Sequence, residues 1–368
     1  MPDAADPASF LRQLASADRV YDVRRRPGQA LPGPPARGPG GRPVPAVALL
    51  TRSCDAELDA VQELLGKAGV PTVRVNSDEL AGTDLLIDPV NRVARLSGRW
   101  VAPTVTWLRH FSPGAIDVGL ASEASGMFLR ESWHAAAGQL AAISRTPICS
   151  RRPGLLAQLR LAERNRVPVP RTVVTTDLAA AGDALRCSRL VIKAAHQHFV
   201  EARPGRLTGV FPVIVERDDL PGGPCHGPPV VVQEYVRHDA ELRVYYVAGE
   251  VHAFEVVKDS PADPWAAPER VRVRPTTPPP SVARAARVLA AAMRLRFGVF
   301  DFLVQGAEPV FLEVDPEGDW RWAERESRTS VVTLAAARML ASLHHATRRG
   351  LPETDRGSRP LDLLTFLS

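Results

Sequence analysis

Three carboxylates lie close together in a predicted β-hairpin near the end of the sequence. The segment GVFDFLVQGAEPVFLEVD reads as two alternating strands around a short loop. If Val304 pairs with Val310, Asp301 lies opposite Glu313, and the two-residue period of a strand puts Asp315 on that same face. Opposed residues have Cβ atoms about 4.5–5.5 Å apart, so two like charges there repel each other. The pattern therefore predicts a cation between these carboxylates.

An all-oxygen ligand set with few protein groups favours Mg²⁺ or Mn²⁺, with phosphate oxygens completing the coordination shell. Asp301, Glu313 and Asp315 are the candidate metal ligands. The other face of the hairpin is predicted to be apolar, filled by Phe300, Phe302, Val304, Leu312 and Val314. The alternative is a solvated acidic face whose charge is balanced by arginines such as Arg321.

Two further strands carry residues that suit a nucleotide. Lys193 ends the apolar strand RLVIK, where its amine could lie beside a phosphate. The buried strand VVVQEYV acquires Gln233 and Glu234 near its end. Backbone groups at such a strand edge could bind an adenine, with a carboxylate beside its exocyclic amine. We therefore expect a nucleotide near these two strands.

The next strand, ELRVYYV, alternates strictly, so that Glu241, Arg243 and Tyr245 share one face, and a turn returns His252 close by. An arginine among apolar strand neighbours is unfavourable unless it meets an anion. This favours Arg243 as an anion-binding residue. The alternative is a surface ion pair between Glu241 and Arg243.

Composition narrows the class of protein. Of the 368 residues, 45% are hydrophobic and 24% charged, which is typical of a globular protein of two or three packed units. The net charge of +5 is carried by dispersed arginines without interleaved aromatics, so we expect no nucleic-acid partner. No apolar run is long enough for a membrane span. The absence of a signal pattern and the four scattered cysteines predict a cytoplasmic location, without a zinc site or disulfides.

The pattern of apolar and turn residues predicts an α/β chain that begins with a parallel βαβ unit. An amphipathic helix is predicted at residues 6–22, followed by a flexible Pro- and Gly-rich linker from Arg24 to Pro45. Residues 130–166 are predicted to be helical, and Asp259–Pro280 to be a proline-rich loop. Strands are expected from residue 190 to 257, a helix at Ser281–Arg294 and another at Ser330–Arg348.

The order of these pieces resembles the ATP-grasp superfamily. More narrowly, FLEVDPEGDWRW resembles the double-tryptophan signature of the graspetide (microviridin-type) peptide maturases. TWLRH and QLRLAERNRVPVPRT extend the resemblance, which covers about Val44 to Arg338. It implies an α/β (α+β) ATP-grasp fold with an N-terminal βαβ pre-ATP-grasp domain, a central domain and a C-terminal ATP-grasp domain.

The resemblance divides the chain into five parts. They are a flexible Pro/Gly/Arg-rich extension (1–45), the N-terminal pre-ATP-grasp domain (46–130), a central helical region with the first ATP-grasp lobe (131–235), the C-terminal lobe with the metal site (236–345) and a tail (346–368).

The resemblance also implies roles for individual residues. The residues expected to bind the nucleotide are Lys193, Gln233, Glu234, Tyr235, Val236 and Glu241. Glu234 and Val236 would bind the base, and Glu241 would lie near the ribose. Lys193 and Arg243 would be the catalytic residues, with Arg243 meeting the γ-phosphate. Asp301, Glu313 and Asp315 would hold Mg²⁺.

The activity implied is that of an ADP-forming ligase. Such an enzyme would use ATP to phosphorylate side-chain carboxylates of a ribosomal precursor peptide, with a leader and an acidic core, and close ester or amide rings. The resemblance also suggests a homodimer. The alternatives are a ligase of amino acids or of a protein tail, and a degenerate module that binds a peptide without catalysis.

The sequence departs from the family pattern at several positions. Asp315 replaces an asparagine, Asp319 a glutamine, and Leu155 lies near the place of a lysine for which Arg151 or Arg152 might substitute.

Overall fold

The computed structural model describes residues 19–22, 42–119, 121–149, 153–196, 198–221, 227–266 and 268–348. Strand β1, Arg19–Asp22, occupies the end of the region predicted to be a helix. The helix prediction is therefore wrong at residues 19–22, and residues 6–18 lie outside the described part. Val20 and Tyr21 favour strands, and this segment pairs with another strand far along the chain. Arg151 and Arg152 also lie outside the described residues.

A six-stranded sheet forms the first part of the fold. Its strands are β2 (Val44–Thr51), β3 (Thr72–Asn76), β4 (Leu85–Asp88), β5 (Val93–Leu96), β6 (Arg99–Leu108) and β7 (Thr146–Cys149). The spatial order is β3-β2-β6-β5-β4, and β7 also pairs with β6. Helices α1 (Ala56–Lys67) and α2 (Glu123–Ile143) belong to this part. Because β2 and β3 are parallel and joined by α1, the predicted βαβ unit is confirmed.

Strand β7 interrupts the region predicted to be continuously helical, so that prediction is wrong at residues 146–149. The segment pairs in parallel with the end of β6, where Ile148 is buried. A neighbouring strand edge thus overrides the local helical tendency of the flanking sequence.

The central part is an antiparallel sheet of four strands with the order β12-β9-β13-β8. Its strands are β8 (Thr172–Thr175), β9 (Arg189–Ala194), β12 (Val213–Glu216) and β13 (Val230–Glu234). Helix α4 (Leu178–Leu185) packs on this sheet, whereas α3 (Leu155–Arg164) packs against the last sheet of the chain. Between β9 and β12, the strands β10 (Phe199–Arg203) and β11 (Arg206–Gly209) form a separate hairpin. Strand β1 pairs with β11, which makes a small three-stranded sheet.

The last part is an antiparallel five-stranded sheet with the order β16-β15-β14-β17-β18. Its strands are β14 (Ala240–Val247), β15 (Glu250–Val257), β16 (Arg272–Thr276), β17 (Phe297–Gln305) and β18 (Glu308–Asp315). Its helices are α5 (Asp263–Ala266), α6 (Pro280–Ala292), α7 (Arg321–Ser327) and α8 (Val331–Arg348). Strand β16 lies within the predicted proline-rich loop, so the loop prediction is wrong there. Its Pro275 is tolerated because β16 is an edge strand.

The hairpin of β17 and β18 contains an irregularity that the sequence did not reveal. Asp301 pairs with Glu313 as predicted, but Val304 pairs with Pro309 and not with Val310. The register shifts beyond Asp301 because Leu312 is an extra residue in β18. As a result Phe311 is fully buried in the apolar core, while Leu312, which was predicted for the apolar face, is half-buried.

One apolar core joins the first and last parts of the chain. It includes Val47 and Trp107 from the first sheet together with Phe297, Trp320 and Leu340. The rings of Trp107 and Trp320 stack with centroids 6.1 Å apart, and Phe297 lies 5.2 Å from each. Among the described helices none is both long and apolar enough to cross a membrane.

Candidate active site

Three adjacent strands bring one cation and two carboxylates into a row. Arg243 on β14 is the register partner of Asp301 on β17, which in turn is the partner of Glu313 on β18. Arg243 Nη1 donates to Asp301 at 3.1 Å (Oδ1) and 3.2 Å (Oδ2). The side chains of Asp301 and Glu313 are only 25% and 24% exposed, which contradicts the alternative of a solvated acidic face. Arg321 pairs with Glu324 instead.

Asp301 lies in surroundings that oppose its ionisation. Burial raises the pKa of Asp301 to about 6, and the neighbouring charges of Glu313, Glu241 and Asp315 act in the same direction. Arg243 acts in the opposite direction without outweighing them. A bound cation would relieve this repulsion.

Lys193 connects the central sheet to this row. It lies on β9 with its side chain 8% exposed, and its Nζ is 3.8 Å from Glu313 Oε2. A cleft adjoins it. The cleft is lined by residues that include Gly154, Leu155, Lys193, His196, His198 and Glu313.

The N-terminus of α3 also lines the cleft. Gly154 is the N-cap residue of this helix, and no side chain caps the helix there. Uncapped N–H groups and the helix dipole make such a terminus attractive to anions. The sequence prediction missed this feature, although the Pro153-Gly154 pair before a helix was a usable signal. Leu155, in the place of the expected lysine, lies in the cleft wall.

Gln158 on α3 fixes the strand that carries the acidic residues. Its side-chain amide accepts from Val314 N at 2.8 Å and donates to Val314 O at 3.2 Å. Val314 lies between Glu313 and Asp315, on an edge strand whose backbone groups need partners. Gln158 therefore holds both carboxylates in place. Sequence reasoning did not single out this residue, because its partner is 156 residues away.

The end of β13 is more constrained than the sequence suggested. Gln233 donates to Thr172 Oγ1 at 2.9 Å, and the carboxylate of Glu234 accepts from Arg171 N (2.9 Å) and Nε (2.8 Å). These side chains are thus engaged with β8 and the residue before it. Beyond them, the guanidinium of Arg189 lies 5.0 Å from the ring centroid of Tyr235, and the carbonyl of Val236 is 2.9 Å from His238 Nδ1. The nucleotide-binding roles of these positions stay predictions.

Glu241 and Arg243 do not pair with each other, so the alternative of a surface ion pair between them is wrong. Glu241 pairs with Lys258, whose side chain is 9% exposed, while Arg243 pairs with Asp301. Tyr245 lies opposite His252 on β15, as predicted. Burial raises the pKa of Tyr245 to about 12, so it is a neutral hydrogen-bonding phenol.

A buried cluster behind Arg243 joins the first and last parts of the chain. Arg109, fully buried at the end of β6, donates to Asp55 at 2.7 Å and to Asp319 at 2.5 Å. The backbone oxygen of Asp319 accepts from the Tyr245 hydroxyl at 3.0 Å. Tyr245 in turn is hydrogen-bonded to Arg243. The resemblance to TWLRH included Arg109, but nothing in the sequence indicated these partners.

Asp319 also contacts His110, whose Nε2 lies 2.9 Å from its Oδ1. The pKa of Asp319 lies well below its ordinary value. Burial opposes this shift, but the hydrogen bond from His110 and the charge of Arg109 outweigh it. The carboxylate that replaces the expected glutamine therefore ionises readily.

Comparison with solved structures identifies the fold. The macrocyclase MdnC from Microcystis aeruginosa MRC, bound with the precursor peptide MdnA, is 16% identical and superposes with a TM-score of 0.68 over 81% of this chain and 99% of MdnC. A RiPP-associated ATP-grasp ligase from Chryseobacterium gregarium, in complex with ADP and a leader and core peptide, is 20% identical, with a TM-score of 0.65 over 81% and 96% of the two chains. The chain has the ATP-grasp fold. This confirms the predicted fold class.

A third ATP-grasp ligase, PsnB, complexed with a phosphomimetic precursor variant, Mg and ADP, is 16% identical, with a TM-score of 0.64 over 82% of this chain and 99% of PsnB. No family model and no curated protein matches the sequence. At these identities the similarity establishes the fold, and the activity has to be argued from the site.

The described residues contain no cluster of three or more His, Cys, Asp or Glu side chains arranged to hold a metal ion. The three carboxylates of the ATP-grasp hairpin therefore do not form a complete metal site by themselves. The metal-binding roles of Asp301, Glu313 and Asp315 stay a prediction.

Proposed function

We propose that this chain is an ATP-dependent carboxylate ligase that acts on side-chain carboxylates of a ribosomal precursor peptide and closes ester or amide rings. The observation that carries the proposal is the row of Arg243, Asp301 and Glu313, whose Glu313 end contacts Lys193 at the wall of a cleft. Its combination of buried cations and repelling carboxylates suits a metal-bound polyphosphate. The fold is shared with ligases whose structures contain Mg, ADP and precursor peptides.

The phosphate groups of ATP would lie at the Lys193 end of the cleft. Lys193 and the uncapped N-terminus of α3 supply positive charge there, at a wall that also includes Glu313. The N-terminus of α3 would partly replace the lysine of the family pattern, whose place is taken by Leu155, because backbone N–H groups bind phosphate without a side chain.

The carboxylates fit Mg²⁺, and Mn²⁺ is an acceptable substitute. All three are oxygen donors, and Asp301 ionises with difficulty while no cation lies beside it. Because the described residues contain no complete ligand set, phosphate oxygens would share the metal, as Mg²⁺ commonly requires. When bound, the metal would neutralise phosphate charge. Asp301, Glu313 and Asp315 would hold it.

The chemistry would take two steps. A carboxylate oxygen of the peptide attacks the γ-phosphorus of ATP and displaces ADP, which leaves an acyl phosphate. A hydroxyl or amine of the same peptide then attacks the acyl carbon, expels inorganic phosphate and loses a proton. Arg243, fixed by Asp301 and Tyr245, would neutralise the transferring phosphoryl group. The chain's main contribution is positioning.

A non-catalytic peptide-binding role is the second candidate. It is favoured by Leu155 in the cleft wall and by the additional negative charge of Asp315. Turnover distinguishes the two: a binding module would bind nucleotide or peptide without releasing ADP. A ligase of amino acids or of a protein tail would release ADP with those acceptors instead.

We place the reaction in the cytoplasm, because Cys54 and Cys187 are free thiols and a reducing compartment preserves them. The homodimer suggested by the resemblance is part of the proposal and is testable by light scattering.

The test is thermal unfolding of the purified protein with ATP, with Mg²⁺ and with both. A ligand at 100 times its Kd stabilises the fold by about 2.7 kcal/mol, which is readily measured. We expect a Mg²⁺-dependent ATP shift that is lost in Asp301→Asn. The matched control is Glu308→Gln, at the exposed tip of the same hairpin, which should keep the shift. If ATP gives no shift at any concentration, the ligase proposal is wrong.

A further inference from the structure

The hairpin of β10 and β11, residues 199–209, directly continues one wall of the cleft. His196 and His198 line the cleft, and β10 begins at the next residue, Phe199. We call this hairpin the flap. Any change in how the flap is held will alter the wall on the side of Lys193.

Glu201 anchors the flap to the body of the protein. It pairs with Arg52, and a Cβ on Gly114 would clash with its backbone oxygen. Within the flap, Glu201 also accepts from Gly205 N at 2.8 Å. Away from these contacts Val200 is 59% exposed. A two-stranded hairpin alone is marginally stable in water, so pairing with a further strand would help to order the flap.

Strand β1 supplies the flap with a third strand. Its four residues pair with all four residues of β11, from Arg19 opposite Gly209 to Asp22 opposite Arg206. Because β10 covers the other side of β11, β1 converts an edge strand into a central one.

The covalent connection between β1 and the rest of the chain favours the pairing of this short strand with the flap. Twenty-one residues, 23–43, separate β1 from β2, so β1 is covalently tethered to the body of the protein. A tethered segment experiences an effective concentration on the order of millimolar. Four residue pairs therefore suffice to hold β1 on the flap, whereas a separate peptide of this length would bind poorly.

We propose that Arg19–Asp22 is an intramolecular strap that orders the flap and thereby sets the affinity of the cleft for nucleotide. The inference rests on the proposed function, because it takes the cleft to be the nucleotide site. When the strap is released, only a fraction of the molecules has an ordered flap. The apparent Kd for nucleotide then rises in inverse proportion to that fraction.

The test uses the full chain with Val20→Pro/Tyr21→Pro. Successive N–H groups of a strand point to opposite sides, so one of the two prolines removes a donor that faces β11. The matched control, Gln29→Pro/Ala30→Pro, places two prolines in the connecting segment. The measurements are amide hydrogen exchange over residues 206–209 and calorimetric titration with ADP and Mg²⁺.

We expect at least about tenfold faster exchange at residues 206–209 in the strand variant and a Kd for ADP raised about three- to tenfold. The control should match the unchanged protein in both measurements. A second variant, Val20→Cys/Thr208→Cys, joins facing residues. Its oxidised form should keep slow exchange and a Kd no higher than that of its reduced form.

Unchanged exchange in the proline variant would overturn the strap, and faster exchange with an unchanged Kd would overturn its link to the nucleotide. If the unchanged protein fails to bind ADP, the proposed function is refuted. The exchange data would then still decide whether β1 holds the flap.

Discussion

Replacing Arg109 by methionine tests whether the buried cluster stabilises the fold through charge. Arg109 and Asp55 are both fully buried and paired at 2.7 Å. Methionine keeps much of the volume but leaves the Asp55 carboxylate without its cation. Removing one partner of a buried pair destabilises a protein by about 3–5 kcal/mol. Asp319, the other partner of Arg109, is 58% exposed and can be solvated by water. Losing its ion pair should therefore add little to the destabilisation.

The assay is urea unfolding followed by tryptophan fluorescence, which reports on the nearby Trp107 and Trp320. The double variant Asp55→Asn/Arg109→Met removes both charges, and the asparagine can still cap α1. We expect it to recover most of the lost stability, because a neutral replacement of a buried pair is nearly neutral. A loss below about 1 kcal/mol in Arg109→Met, or no recovery in the double variant, would refute the reasoning.

The pH dependence gives a second check on the same pair. Burial works against the charged form, but Arg109 outweighs it, and the pKa of Asp55 lies below its ordinary value. The stabilisation is therefore complete above the unfolded pKa of about 3.9 and is lost as the pH falls through the lower folded pKa. The difference in the free energy of unfolding between Arg109→Met and the unchanged protein should therefore become smaller only in that acid range.

Three further outcomes are expected. Gly318→Ala should destabilise the fold by about 1–3 kcal/mol, because its Cβ would lie 2.6 Å from Val299 Cγ2, whereas Gly138→Ala, with nothing within 4 Å, should be neutral or stabilising in denaturant titrations. Mg²⁺-dependent nucleotide binding should weaken below pH 6, because protons then compete for Asp301, whose pKa is about 6. The same raised pKa means that the contribution of Asp301 to metal-free stability falls as the pH rises from about 4 to 6; nucleotide binding that is equal at pH 5 and 7 would contradict the assignment. Burial lowers the pKa of His344 to about 4, so stability should fall from pH 6.5 to 4, and His344→Asn should flatten that slope in urea titrations.

Local patterns predicted the acidic hairpin and its residues well. The alternation of FDFLV and FLEVD fixes which side chains share a face, so the pairing of Asp301 with Glu313 followed from the sequence. The predicted pairing at the tip of the hairpin was wrong, because the bulge at Leu312 is not visible in that alternation. Strands β7 and β16 were missed because pairing with a neighbouring strand of the sheet, and not their own composition, makes them extended.

Contacts between distant segments set the electrostatics of the site, and these could not be predicted. The ion pair of Arg243 and Asp301 requires β14 and β17 to be neighbours, although strands β15 and β16 and helices α5 and α6 separate them in the chain. The contact of Gln158 with β18 could not be predicted either, because Gln158 and Val314 are 156 residues apart in the chain. A single sequence without known pairings does not specify which distant strands meet.

The shared apolar core has a consequence for biosynthesis. Residues near the C-terminus, such as Val332 and Leu340, complete the core that begins with Val47 on the first sheet. Domains usually fold as they are made, and exposed apolar surface invites aggregation. Folding of this core should thus finish only after residues 332–340 have left the ribosome, and its yield should depend on chaperones that shield the nascent sheet.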